Sequence, residues 1–476
     1  MSECQRPLPF GGILSVLFTI ASLLQPVCPA SGQDVEGAHQ RDQREQPQPV
    51  FPQAQPEHLP RKAPNALTHV VHGYHPYWIS DDAVDLYRLD LLSHVAYFSC
   101  EIDPASGLPT NTRGWLTSTV PARAKAAGVK VLLTVTNFGA GANRTLLANP
   151  VACDTLCAVL VRLVHARAAD GVSIDFESVP ADQRDNFTTF FAKLRNALDA
   201  YGEGMIISAA APAVDWSGSW DVSSLAEYID LFFIMGYDYS WSGSTAAGPV
   251  APLRGFSLNV EKSVDWYLSH GVPAEKFLLG VPYYGYDWPV QDDRQQSPAT
   301  DRANARIYSV IPDILAHFPR QWSESYSVPW IAYRPSAWRQ CWYDDAQSLG
   351  LKYAFAKERN LGGVGMWALG YDGVLPELWE ELRKAFTTTT RIDAAWTSVH
   401  SIELWPQPLR RGESFALGAV EPGLNQAYLY DVLGRRVWSA VLPATSTLRC
   451  PDVVPGMYML RLVTHSGIAH KSVIVE

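Results

Sequence analysis

Cysteine is scarce: seven residues in 476, with no CxxC pair and no Cys/His cluster at zinc-ligand spacing. A structural zinc module is therefore excluded, and neither a metal nor a cofactor is expected. Cys4 and Cys28 fall in the first 32 residues, which leaves Cys100, Cys153, Cys157, Cys341 and Cys450. Cys153 and Cys157 stand one helical turn apart; a disulfide is open to them, but two separate buried thiols are the plainer reading. Basic charge is also short. Lys and Arg number 38 against 48 Asp and Glu, a net charge of −10, which argues against a nucleic-acid partner, whose phosphates need a basic face. No apolar run reaches the ~20 residues that a membrane-spanning helix needs. Charged residues make up only 18% and apolar residues 47%, so a large core is available and global disorder is excluded. Aromatic rings are plentiful, with 16 Trp and 21 Tyr; most belong to a core, although sugars also stack on such rings.

The two ends differ from the middle. Residues 1–32 read as a secretory signal peptide, with Arg6 as the positive residue, Phe10–Leu24 as the apolar stretch and Ala30-Ser31-Gly32 as small cleavage residues. Cys28 offers a lipid-anchored alternative, ranked second because it follows Val27. Residues 33–65 are rich in Gln, Pro and charge, with Gln-Pro-Gln-Pro at 46–49, and are expected to be a disordered, exposed linker. A second linker is expected over 387–399, opening on Thr387-Thr388-Thr389-Thr390. Residues 400–476 then change to short alternating strands: Tyr428–Val437 as a hairpin, Met457–Val463, and Lys471–Val475. This tail is expected to be a β-sandwich-like domain.

Between 66 and 386, apolar β-type runs alternate with helical stretches. The runs are Val70–Tyr77, Val95–Ile102, Val129–Phe138, Gly171–Glu177, Met205–Ala211, Leu231–Tyr239, Phe277–Tyr286 and Gly363–Leu369. Helices are expected over Pro150–Ala169, Asp185–Tyr201, Val260–His270 and Asp345–Asn360. Eight beats predict an α/β fold, a (β/α)8 TIM barrel. The long gap before the eighth beat holds Trp322–Tyr326, Trp330–Tyr333 and Arg339–Tyr343, which predict a small β insertion between strands seven and eight. Several beats end in polar or aromatic residues, and in this fold strand ends gather round one mouth.

The fourth beat carries the strongest chemical signal. Gly171-Val172-Ser173-Ile174-Asp175-Phe176-Glu177 alternates strictly, and successive side chains of a strand face opposite ways. Val172, Ile174 and Phe176 should face the helices, and Ser173, Asp175 and Glu177 the lumen. Two buried carboxylates on one face are costly unless hydrogen-bonded or sharing a proton. A solvated acidic edge strand is the competing explanation.

Asp170-Gly171-Val172-Ser173-Ile174-Asp175-Phe176-Glu177 resembles the DGxDxDxE signature of glycoside hydrolase family 18, the chitinase family. Met235-Gly236-Tyr237-Asp238 is similar to its MxYD motif, GVPYYGYDW at 280–288 to its seventh strand, and GGVGMWALGYD at 362–372 to its eighth. The resemblance implies that Glu177 is the general acid and that Asp175 holds the substrate acetamido N–H. It also implies that Tyr237 donates to the acetamido oxygen with Asp238 assisting, and that Trp367 floors the sugar subsite. Met235, Tyr74, Phe98 and Ser173 are further candidates for the substrate-binding mouth; Asn137 and Tyr284 also end beats there, and for Asn137, Tyr74, Phe98 and Tyr284 packing is at least as good an explanation. Ser173 departs from the signature, which usually has an Asp at that place, and bears on rate and pH optimum. In this family the substrate's own acetamide is the nucleophile.

The strings YDVLGRRVW, VPGMYMLRL and HKSVIVE resemble the C-terminal sorting domain of type IX secretion, which implies export through outer-membrane secretion machinery and a secreted or cell-surface product. An ordinary β accessory module is the alternative. The expected activity is that of a secreted retaining glycosidase acting on β-linked N-acetylglucosamine polymers, chitin or chito-oligosaccharides first. A peptidoglycan-type N-acetylglucosaminidase and a catalytically silent glycan-binding protein are the rivals.

Overall fold

A computed structural model describes residues 36–49, 67–388 and, in the tail, 403–405, 408–418, 424–431, 436–441, 447–464 and 467–476. The expected signal peptide, the stretch 50–65 and the stretch 389–399 lie outside the described residues. Eight parallel strands run in the order Val70–Pro76, His94–Ile102, Lys130–Phe138, Gly171–Glu177, Ile206–Pro212, Leu231–Met235, Phe277–Pro282 and Gly363–Trp367. The first pairs with both the second and the last, Val70 opposite Gly363 and His72 opposite His94, so the sheet closes into a barrel. Closure leaves no free edge and gathers the strand ends round one rim.

The helices lie where the apolar periodicity places them. Pro150–Ala166 begins on Asn149, whose side chain accepts from the amides of Val151 and Ala152, with proline at the first position. Ala346–Glu358 begins with a capping box between Asp345 and Ser348. Phe176, facing outward from strand four, packs on Phe187 and Phe190 of the helix Arg184–Tyr201, with ring centroids 6.4 and 5.4 Å apart. That contact fixes the strand's facing: its odd positions must enter the lumen.

Sequence periodicity missed one division. The run Phe277–Tyr286 is two strands, because the chain leaves the barrel at Pro282 and restarts at Tyr284–Pro289 in a separate antiparallel sheet. That sheet has five strands, with Asn304–Ile307, Gln321–Ser323, Val328–Tyr333 and Arg339–Trp342, and forms the insertion. The run was read as continuous because both pieces are apolar and buried.

The tail has two further sheets, of three and four strands. They enclose their own core, which includes Phe415, Leu429, Leu448, Leu460 and Val473. Gly467 belongs to the last strand, opposite Thr464, rather than to a turn. Cys153 and Cys157 are both free and buried, so the two-thiol alternative holds.

Candidate active site

Glu177 ends strand four at the rim, where its carbonyl accepts from the Asn143 side chain at 2.6 Å and the Gly139 amide at 3.1 Å. Asn143 also accepts from Asn137, so Asn137 serves to brace this corner. Asp175 and Ser173 lie below Glu177 on the same face, and both are fully buried. Ser173 Oγ pairs with the Tyr74 hydroxyl at 2.9 Å. The hydroxyl that stands where an Asp is usual is thus matched by a phenol, a neutral pair in place of a shared proton.

Burial pushes the Glu177 carboxyl well above the ordinary carboxylate range, and the nearby Asp175 and Asp238 raise it further. The amide of Gln40 and the charge of Arg41 pull the other way and are outweighed. An acid that holds its proton more tightly than usual, beside a second carboxylate, suits general-acid catalysis. Burial also raises Asp238, against the pull of Arg41. Asp238 has a left-handed backbone (φ 59°) and accepts from the hydroxyls of Tyr284 and Tyr286. Tyr284 is therefore the support of Asp238.

Trp367, at the end of the last strand, is buried against Phe98, with ring centroids 4.9 Å apart at 73°, and against Tyr74 at 5.7 Å. Tyr237 is buried opposite, 6.0 Å from the Tyr284 ring. Met235 ends strand six half-buried, packed on the barrel core. Every residue expected at the mouth thus stands on a strand end, a lumen position or the short stretch just beyond one. Asp175, Glu177, Tyr237 and Trp367 converge most closely.

Sequence reasoning missed what lies among them. Within the expected disordered linker, Ala38–Glu45 is a helix, and it is seated in the mouth. The reading failed because a Gln- and charge-rich segment has no apolar core of its own, whereas here its polar side chains find buried partners. His39 is fully buried: Nδ1 meets Asp175 Oδ2 at 2.8 Å, Nε2 meets the Tyr237 hydroxyl at 2.6 Å, and the ring lies 3.8 Å from the Trp367 ring at 30°. Asp42 accepts from Trp367 Nε1 at 2.7 Å and the Tyr371 hydroxyl at 2.9 Å. Arg41 donates to the Tyr286 hydroxyl and to Asp42, with its guanidinium 4.8 Å from the Tyr284 ring centre. Burial opposes the Arg41 charge, but Asp42, the two tyrosines and Asp238 outweigh it. No periodicity in the linker signals this; the only hint is charge of both signs close together.

His39, Asp175 and Glu177 bring one donor atom each within 4.8 Å of one another, a set that a divalent cation could accept. His39 Nδ1 stands at hydrogen-bond distance from Asp175, which places a proton between them. The trio reads as hydrogen-bonded rather than as a metal centre.

Comparison with known proteins decides the family. The model of glycosyl hydrolases family 18 matches residues 70–372. The chain belongs to that family. A sporulation-specific glycosylase named YdhD from Bacillus subtilis is 33% identical over 270 residues, 54% of this chain and 61% of the relative. Chitinase A1 of Niallia circulans is 27% identical over 243 residues, 43% of this chain and 35% of the relative. The chain thus spans less than two thirds of either. The solved structure of a family 18 N-acetylglucosaminidase from Paenibacillus barengoltzii shares the fold with a TM-score of 0.58 at 21% identity, covering 67% of this chain and 100% of that one. The DxE pair on strand four, the Tyr-Asp after strand six and the tryptophan ending strand eight all lie inside the matched family region.

Proposed function

We propose that this family 18 protein is a retaining glycosidase that cleaves β-linked N-acetylglucosamine glycans, with chitin or chito-oligosaccharides as first candidates. The observation that carries the reading is the convergence of Asp175, Glu177, Tyr237 and Trp367 on one spot. Glu177, raised by burial, protonates the glycosidic oxygen and later deprotonates water. Asp175 lies on the same strand and side as the acid, so it is placed to hold the acetamide rather than attack from the opposite face. The acetamide oxygen then attacks the anomeric carbon, the leaving oxygen takes the Glu177 proton, and Asp175 and Tyr237 steady the cyclic intermediate. Water opens that intermediate with net retention.

The decisive measurement is proton NMR of the first product from chitotetraose with residues 66–386, whose strands close on themselves. Early β-anomer supports the reading, and early α-anomer from this β-linked substrate refutes it. Peptidoglycan belongs in the same assay, because the 33%-identical relative is named a sporulation-specific glycosylase. Ser173, in place of the usual Asp, points the same way. Binding without turnover would instead favour a silent glycan-binding protein. The leader and the tail motifs support export to the cell surface or beyond, tested by the location and mass of the protein in its native host.

A further inference from the structure

We infer that residues 36–48 are an autoinhibitory plug, held in the glycan site by a histidine that imitates the reacting sugar's acetamide. The inference rests on the glycosidase reading for the identity of the displaced ligand, but not for the plug itself. A carboxylate can only accept, so the proton between His39 and Asp175 sits on Nδ1. In the neutral ring with its proton on Nδ1, Nε2 carries the lone pair and accepts from the Tyr237 hydroxyl, 2.6 Å away. That is the donor and acceptor pattern of an acetamide: N–H to Asp175, and a lone pair facing Tyr237. The ring lies over Trp367 at 3.8 Å, as a sugar ring would.

The rest of the segment is fitted to the rim. A Cβ on Gly37 would fall 2.0 Å from Glu177 Oε2, so any larger residue would have to displace the acid's carboxyl. Downstream, Gln43 donates to Glu101 at 2.8 Å, Gln46 to the Tyr77 hydroxyl at 2.9 Å and Gln48 to the Trp78 carbonyl at 2.9 Å. Among the described residues, a recess beside the helix of about 160 Å³ is lined by Arg41, Asp42, Tyr284 and Arg306. That is below the roughly 300 Å³ at which small-molecule sites begin.

Eight residues are too few for a stable isolated helix, and Gly37 supplies no side-chain cap. Its helicity therefore depends on docking, and docking depends on the tether. At an effective concentration of ~1 mM, the order that covalent linkage supplies, even a ~10 µM contact would fill the site and lower activity about 100-fold. Cleavage between residue 49 and the first strand would turn the plug into a free peptide that dilution removes.

The test uses the full chain and the double variant His39→Ala with Arg41→Ala. Three quantities are read: kcat/KM on chitotetraose, affinity for a thio-linked, non-hydrolysable chitotetraose, and hydrogen exchange of the 37–46 amides. The expected result is a 10- to 100-fold rise in the first two in the variant. The 37–46 amides should be protected in the wild type and freed in the variant. Glycan binding that rises without any hydrolysis leaves the plug standing and removes the glycosidase reading. Equal kcat/KM and affinity in the two chains, or free exchange of 37–46 in the wild type, overturns the plug. Failure of both chains to bind the glycan overturns the imitation.

Discussion

Two buried carboxylates on neighbouring parts of the molecule are treated in opposite ways. Asp287, in the insertion sheet, is fully buried and saturated: Arg339 and Arg306 donate to it at 2.9 and 3.0 Å, and the Tyr333 hydroxyl at 2.9 Å. Among the described residues no guanidinium or ammonium is bonded to Glu177 at the mouth, its Oε1 has no hydrogen-bond partner, and burial makes it hold its proton more tightly than an ordinary carboxyl. A buried acid that is fully paired is a fixed charge that ties strands together. One left short of partners keeps a proton to give. The contrast separates structural from chemical carboxylates without reference to family.

The largest effect should come from Glu177→Gln, which keeps the shape and removes the transferable proton. Turnover on unactivated glycans should fall by roughly 10²–10⁴, with the denaturation midpoint little changed. Wild-type turnover would erase the distinction drawn above.

Asp372 sharpens the comparison, being a buried acid with no cationic partner among the described residues, beside Tyr87 and Tyr283. Burial pushes it up from 3.8 to about 7. The folded state therefore holds its proton more tightly than the unfolded chain, so its contribution is complete below about pH 4 and is lost as pH rises through about 7. Asp372→Asn should flatten that loss, gaining up to ~4 kcal/mol relative to wild type above neutrality. Denaturant midpoints at pH 4 and 8 read it; an equal difference at both would show that Asp372 does not titrate between them.

Asp287→Asn should do the reverse of Glu177→Gln. Stability falls by about 2–3 kcal/mol, the lower part of the buried-pair range because both arginines are partly exposed, while kcat per folded molecule holds. Urea melts and active-site titration separate the two quantities, and a fall in kcat with stability intact would reverse the assignment. The smallest effect is expected from Ser173→Ala, which leaves the buried Tyr74 hydroxyl without its partner and costs about 1–2 kcal/mol. An unchanged urea midpoint would mean that the pair contributes nothing to folding.

Most of the barrel was legible because each strand is an apolar run followed by a periodic helix, and closure follows from eight of them. The facing of Asp175 and Glu177 was legible from period-two alternation, since Phe176 had to meet the helices. The break at Pro282 was not, because burial is continuous across it and direction leaves no trace in hydropathy. The role of Tyr284 as a support for Asp238 was hidden for a similar reason: pairing across a rim depends on loop paths. The helix at Ala38–Glu45 was hidden most deeply. Its signal lies in matching polar groups 58 to 329 residues away, which no local pattern expresses.

That separation has a consequence in time. Trp367 and Tyr371 follow the histidine and aspartate they hold by more than 320 residues. At ribosomal rates of about 5–20 residues per second, the helix segment waits roughly 15–65 s for its seat to be made. The barrel itself cannot close before Gly363–Trp367 pairs with Val70–Pro76. For the whole of that interval residues 36–48 have no seat, and eight residues are too few to hold a helix alone. The last barrel strand to be synthesised is therefore the event that both completes the site and conceals it.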